Sequence, residues 1–149
     1  MSGIKRSSRA KLTLCAELES LPAFRNFIDQ HCQSLPAVNE TVLYDLKLAL
    51  DEACTNIITH GYAGMDPGSI MLELEIDDQK IIMNITDFGH PFEPSKAPQP
   101  DVEAALQDRP MGGFGLFFIY QTMDEVCYNS SEDGNRLTLE KNLPERAGR

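Results

Sequence analysis

Positive charge is scarce in this chain: 13 Lys and Arg face 23 Asp and Glu over 149 residues, a net charge of -10. A broad nucleic-acid or anionic-membrane surface needs basic side chains grouped closely enough to neutralise a row of phosphates, and none are so grouped. A small anionic ligand remains compatible with that balance. Long apolar runs are also missing. No stretch approaches the roughly 18 residues of a membrane span, and the basic, serine-containing start from Met1 to Lys11 lacks the apolar segment of a signal peptide. The chain reads as a soluble, cytoplasmic protein with one domain at 11–143, a flexible arm at 1–10 and a tail at 144–149.

Cysteine is sparse and unpaired in pattern. Cys15, Cys32, Cys54 and Cys127 have no C-x-x-C spacing, and each falls inside an expected element, so they read as small buried side chains in a reducing compartment. A zinc site of His31, Cys32, Cys54 and His60 is the alternative, without the usual short ligand spacing. The phosphate-binding signatures with the strongest patterns are absent as well. No Gly-Lys-Ser/Thr follows the glycines at 112–115, and Phe118 stands where a G-x-G-x-x-G would have its third glycine.

Periodicity supplies the elements. Lys11 to Ala16 alternates as a half-buried strand with Leu12, Leu14 and Ala16 inward. Ser20 caps a helix to about Gln33, with Pro22 in its first turn and Phe24, Phe27 and Ile28 on one face. A longer helix, about Asn39 to His60, carries Leu43, Leu46, Leu50, Cys54 and Ile57 as one apolar stripe. Tyr62 to Gly68 is a loop. A hairpin follows, with Ile70 to Ile76 and Lys80 to Asp87 joined by Asp77-Asp78-Gln79. Phe88 to Met111 loses periodicity and holds five of the nine prolines; a segment of that length in a compact domain is a lid, a binding loop or disordered, and Asp101 to Gln107 could add a short helix. Gly112-Gly113-Phe114-Gly115 opens a helix with Leu116, Ile119, Tyr120 and Met123. Strands at Glu125 to Ser130 and Arg136 to Leu143 close the chain around the turn Ser131 to Asn135. The order predicts an α+β two-layer sandwich, a mainly antiparallel, mixed sheet with helices on one face.

Three polar stations stand out. Glu52, Asn56 and His60 are spaced i, i+4, i+8 along one side of the long helix; at 100° per residue Glu52 lies nearly opposite the apolar stripe, so pattern alone makes it solvent-exposed and places His60 at the stripe's edge, in a structural role. Asp87 ends the core-facing row of its strand, where an unpartnered carboxylate would cost several kcal/mol. Either an internal amide or a ligand amino group should donate to it. The glycines at 112–115 start a helix, where backbone amides suit an anion and glycine allows close approach, although paired glycines before a helix can be turn chemistry alone.

These stations resemble the three motifs of the GHKL ATPases, the superfamily of gyrase, histidine kinases and MutL, and within it the stand-alone anti-sigma factor serine/threonine kinases of the RsbW type. Glu52-x-x-x-Asn56 with His60-Gly61-Tyr62 is similar to the asparagine box, Asp87-Phe88-Gly89-His90-Pro91-Phe92 to the first glycine box, and Gly112-Gly113-Phe114-Gly115-Leu116 to the second. The resemblance runs from about Leu12 to Leu143. It implies the Bergerat ATP-binding fold, with ATP and Mg²⁺ as cofactors. Asn56 would ligate Mg²⁺ and Glu52 would be the general base. Asp87 would accept from the adenine amino group and Gly89 would let the base lie close. Gly112, Gly113, Phe114, Gly115 and Leu116 would hold phosphates under a lid at 88–111. Arg109 is the nearest cation in sequence to those phosphates, with a salt bridge to Asp108 or Glu103 as its other reading.

The implied partners are a STAS-type anti-sigma factor antagonist and a sigma factor, with a homodimer as the assembly and no direct contact with nucleic acid or membrane. The implied activity is transfer of phosphate from ATP to a protein serine or threonine. An ATP-binding interaction module and a plain ATPase are the competing readings, and Glu52 favours the kinase, because a module that only binds nucleotide needs no base there.

Overall fold

The computed structural model describes residues 7–91 and 113–144, the side chains of 113–117 excepted. In chain order the elements are β1 (Ser8–Cys15), α1 (Leu21–Cys32), α2 (Glu40–Asn56), β2 (Ser69–Ile76), β3 (Lys80–Asp87), α3 (Gly113–Thr122), β4 (Glu125–Ser131) and β5 (Gly134–Asn142). A 3-10 turn, Leu18–Ser20, leads into α1, and a π turn, Ile57–Gly61, extends α2. The five strands form one sheet in the order β1-β2-β3-β5-β4. Each of its pairings is antiparallel, so the mixed character expected for the sheet is not found among the described strands.

Alternation builds the two layers. Ile70, Leu72, Leu74 and Ile76 of β2 are buried, as are Ile81, Met83, Ile85 and Asp87 of β3 and Leu137 and Leu139 of β5. Register aligns these rows, with Leu72 opposite Ile85 and Met83 opposite Leu139, and the same face carries Phe24 and Ile28 of α1, Leu46 and Leu50 of α2, and Ile119 of α3 in one core. The opposite face is polar. There Asn84 is buried among Glu75, Arg136 and Thr138, all within hydrogen-bond reach.

Local chemistry sets the ends of the elements. Asn39 caps α2 by accepting from the Val42 amide at 2.8 Å. Asp77 Oδ1 accepts from the Gln79 and Lys80 amides and closes the β2-β3 turn. Ser20 does stand at the N-cap of α1, yet its hydroxyl donates to the Cys15 carbonyl at 2.8 Å, so it ties the helix to β1 instead of capping it. Ion pairs Arg25–Asp51 and Lys47–Asp29, each at 3.0 Å, hold α1 along α2.

Several boundaries differ from the pattern. β1 starts at Ser8, because its pairing with β2 continues to Ile76 beyond the last inward leucine. The final hairpin is tighter than expected, with Ser131 paired to Gly134. Gly134 takes φ +121°, and a Cβ there would lie 2.9 Å from the Asp87 carbonyl oxygen, so only glycine fits. Two cysteines correct the expectation of burial: Cys32 and Cys54 are buried, but Cys15 and Cys127 lie on the outward rows of β1 and β4 and are exposed. Tyr120, grouped by spacing with the core residues of α3, is exposed, whereas Ile119 and Met123 are buried.

Candidate functional site

The site lies where the end of α2 meets the ends of β3 and β5. On α2 the stripe is wider than periodicity predicts. Val42, Ala49, Ala53 and Asn56 are buried beside Leu46, Leu50 and Cys54, because α2 packs against both α1 and α3 as well as the sheet. Leu43 and Ile57 are only partly covered. The wet face expected for the polar ladder is therefore corrected: Glu52 is half-buried, Asn56 is 6 % exposed, and only His60 is in solvent.

Asn56 carries the strongest signal. Both polar atoms of its side chain are buried and have no hydrogen-bond partner among the described residues, a state that costs on the order of 1–3 kcal/mol when nothing else satisfies it. The π turn begins at the next residue, with the Tyr62 amide bonding the Ile57 carbonyl at 3.0 Å. Such turns within helices recur at functional sites. Gly61, at the end of this turn, stands against Asp87, whose Oδ1 would lie 3.7 Å from a Cβ there.

Asp87, 5 % exposed, is opposite Asn135 across the β3-β5 pairing. Its Oδ1 accepts from the Gly89 amide at 2.9 Å and from Asn135 Nδ2 at 3.0 Å. Burial raises its pKa above the ordinary value, and the Asn135 and Gly89 hydrogen bonds oppose that rise. Internal donors thus do serve this carboxylate, on one oxygen. Cys54, buried beneath, has its thiol pKa driven up by desolvation and by Asp51 and Asp87, so it is an inert neutral group.

Backbone is clamped around this carboxylate. The His90 amide donates to the Gly61 carbonyl. Tyr62 Oη accepts from the Phe88 amide at 2.9 Å and donates to the Ser69 carbonyl at 2.8 Å. Gly89 is required by packing, independently of any ligand. A Cβ there would stand 2.3 Å from the Gly61 oxygen.

Of the expected site residues, Asp87 and Gly89 are joined by the Gly89 amide hydrogen bond, and Asn56 lies at the last position of α2, with Glu52 one turn back along the helix. Gly113, Phe114, Gly115 and Leu116 lie in the first turn of α3, which packs along α2. Gly112, Arg109, the short helix at 101–107 and the lid from 92 onward lie outside the described residues. Among the described residues no group of three or more His, Cys, Asp or Glu side chains is placed to hold a metal ion. The zinc alternative is accordingly not formed, and His31 instead packs edge-on against Phe27.

Sequence reasoning missed Asn135. The sequence pattern places it in the turn, but it is 3 % exposed on β5. The signal was present in the alternation of Asn135, Leu137 and Leu139, which puts a polar residue at the end of a core-facing row just as Asp87 ends the row of β3.

Comparison with known proteins agrees with this geometry. Residues 14–141 match the family described as the histidine kinase-like ATPase domain. A serine/threonine-protein kinase, BtrW of Bordetella bronchiseptica, is 31 % identical over 96 residues, 64 % of this chain and 68 % of that protein. An anti-sigma F factor of Clostridium botulinum is 32 % identical over 107 residues, covering 71 % and 73 % respectively. In solved structures, the chain containing the RsbU and RsbW domains of Rv1364c from Mycobacterium tuberculosis shares the fold, with a TM-score of 0.67 and 18 % identity over 93 % of this chain and 34 % of that longer one. With the paired carboxylate at the end of β3, the orphaned asparagine on α2 and the matching span of nearly the whole domain, the chain belongs to the histidine kinase-like ATPase family, the GHKL group.

Proposed function

We propose that this protein is an ATP-dependent serine/threonine kinase that phosphorylates an anti-sigma factor antagonist and also binds a sigma factor, working as a homodimer. The observation that carries the reading is Asn56, a buried amide with no partner among the described residues, one helical turn from a half-buried Glu52. A carboxamide oxygen is a hard ligand suited to Mg²⁺, which takes one or two protein ligands and fills its shell with phosphates and waters. The described residues fit the cofactor pair: Asn56 would hold the ion, Asp87 the base, and the amides opening α3 the phosphates. Bound Mg·ATP supplies the phosphoryl group, with the metal offsetting its charge.

This chain's own residues do the remaining work. Glu52 takes the proton from the incoming serine or threonine hydroxyl, a task that positioning and charge neutralisation leave to a single carboxylate. Gly89 and Gly61 let two backbone segments meet beside Asp87. The names of the relatives, a serine/threonine-protein kinase and an anti-sigma F factor, support the choice of reaction and partners.

The test is incubation of the protein with γ-labelled ATP, Mg²⁺ and an antagonist encoded beside it. Label on a serine or threonine of the antagonist is the expected result. Release of free phosphate with no labelled protein would replace the kinase by an ATPase, and retention of unchanged ATP by a binding module.

A further inference from the structure

Asn135 makes contacts that go beyond holding a turn. Its two amide hydrogens have two acceptors, Asp87 Oδ1 at 3.0 Å and the Gly89 carbonyl at 2.8 Å. Its own oxygen accepts from Ser130 Oγ at 2.7 Å. That set fixes which way the amide points, since the flipped amide would press its oxygen against a carboxylate and a carbonyl. Oδ1 of Asp87 then receives two donors, from Asn135 and from the Gly89 amide. The oxygen left for a ligand is Oδ2, and each of the two donors on its partner oxygen favours the ionised carboxyl, against the burial that raises its pKa.

We propose that Asn135 is a positioning residue that commits one oxygen of Asp87 to the protein and presents the other as an acceptor only, so that the site takes a 6-amino purine and rejects a 6-oxo purine. This rests on the reading of Asp87 as the base-binding group. A 6-oxo purine offers an acceptor where the amino group would donate, and two facing acceptors need a proton between them. Asn135 opposes that proton. A site built for one hydrogen-bond polarity discriminates strongly, because the wrong ligand leaves buried groups unpaired.

The other titratable groups around Asp87 are Cys54 on α2, Tyr62 on the loop and His90 after β3. Burial raises the pKa of Cys54 and of Tyr62, so both stay neutral through the neutral range; His90 is exposed. From β5 the facing residue is Asn135 itself, with Arg136 on the opposite side of the sheet.

The experiment compares wild type, Asn135→Ala and Asn135→Thr by carbon NMR titration of the Asp87 carboxyl in nucleotide-free protein, and by calorimetry with ATP and with inosine triphosphate. In Asn135→Ala the carboxyl should titrate at higher pH and the preference for ATP should narrow by about tenfold, the size of one lost charge-assisted hydrogen bond. Asn135→Thr keeps a donor on a side chain suited to a strand and should fall between, which guards against a folding defect in the alanine variant. An unmoved titration or an unchanged ATP preference overturns the proposal. Asp87→Asn separates the two readings. If that variant binds ATP as wild type does, the base-binding role is lost, and the titration alone then decides whether Asn135 holds the carboxyl ionised.

Discussion

Gly89 rests directly on the carbonyl of Gly61. The two backbones approach so closely that a methyl group at 89 would lie 2.3 Å from the Gly61 oxygen and 3.1 Å from the Tyr62 nitrogen. The neighbouring atoms are backbone and cannot rotate away. Gly89→Ala should therefore separate the end of β3 from the π turn, at a cost of ~1–3 kcal/mol as for other overpacked sites. Chemical denaturation measures the loss, and a variant as stable as its parent would contradict the contact.

Asn56→Ala should behave in the opposite sense. The native amide is buried and has no partner among the described residues, so its removal should leave nucleotide-free stability within about 1 kcal/mol of wild type, lost packing offsetting the relief. What should disappear is the stabilisation by ligand, expected to be ~2.7 kcal/mol at a hundredfold excess over Kd. Thermal melts with and without Mg·ATP read both quantities.

Asp87 couples the site to pH. Its pKa lies above the ordinary carboxylate value, chiefly through burial. The folded state consequently favours the protonated form, and this contribution to stability is complete below the unfolded pKa and lost as pH rises through the raised one. Asp87→Asn removes that loss. The variant should melt at or above wild type near neutral pH, with the difference vanishing as pH falls to about 4, while ATP affinity drops at neutral pH. Wild type gaining on the variant as pH rises would reverse the assigned sign.

Glu52→Gln should spare ATP binding and slow transfer to the antagonist by ~10²–10⁴, the usual share of a general base. Phosphorylation rate and calorimetric affinity, measured on one preparation, separate the two effects. A rate equal to wild type would remove Glu52 from the reaction.

Tyr62→Phe deletes one hydroxyl that joins the Phe88 amide to the Ser69 carbonyl. Both backbone groups lose that partner, so the variant should be destabilised by ~1–3 kcal/mol. Hydrogen exchange at Phe88 should rise more than exchange in the middle of β3.

The strands were legible because alternation and burial coincide: every second residue from Ile70 to Ile76 is inward and covered, and Asp87 was visible as a carboxylate at the end of such a row. Asn56 was legible only as a position on a ladder. It sits at the end of a helix that packs along α3 and runs into a π turn, features that a uniform 100° rotation does not contain. Asn135 was hidden by placing the turn too wide, and a two-residue connection would have put it in register with Leu137. The reason for Gly89 was hidden altogether, since its neighbour Gly61 lies 28 residues earlier and nothing local marks the approach.

The described residues on either side of 92–112 meet the same helix. His90 is tied to Gly61 in the π turn that extends α2, and α3 runs along α2. Both anchor points are fixed by contacts outside the stretch itself. Its length can therefore change with little effect on the site, since doubling a loop costs only about 0.6 kcal/mol in closure entropy. An insertion there should leave the carboxylate, the asparagine and the two touching glycines where they are.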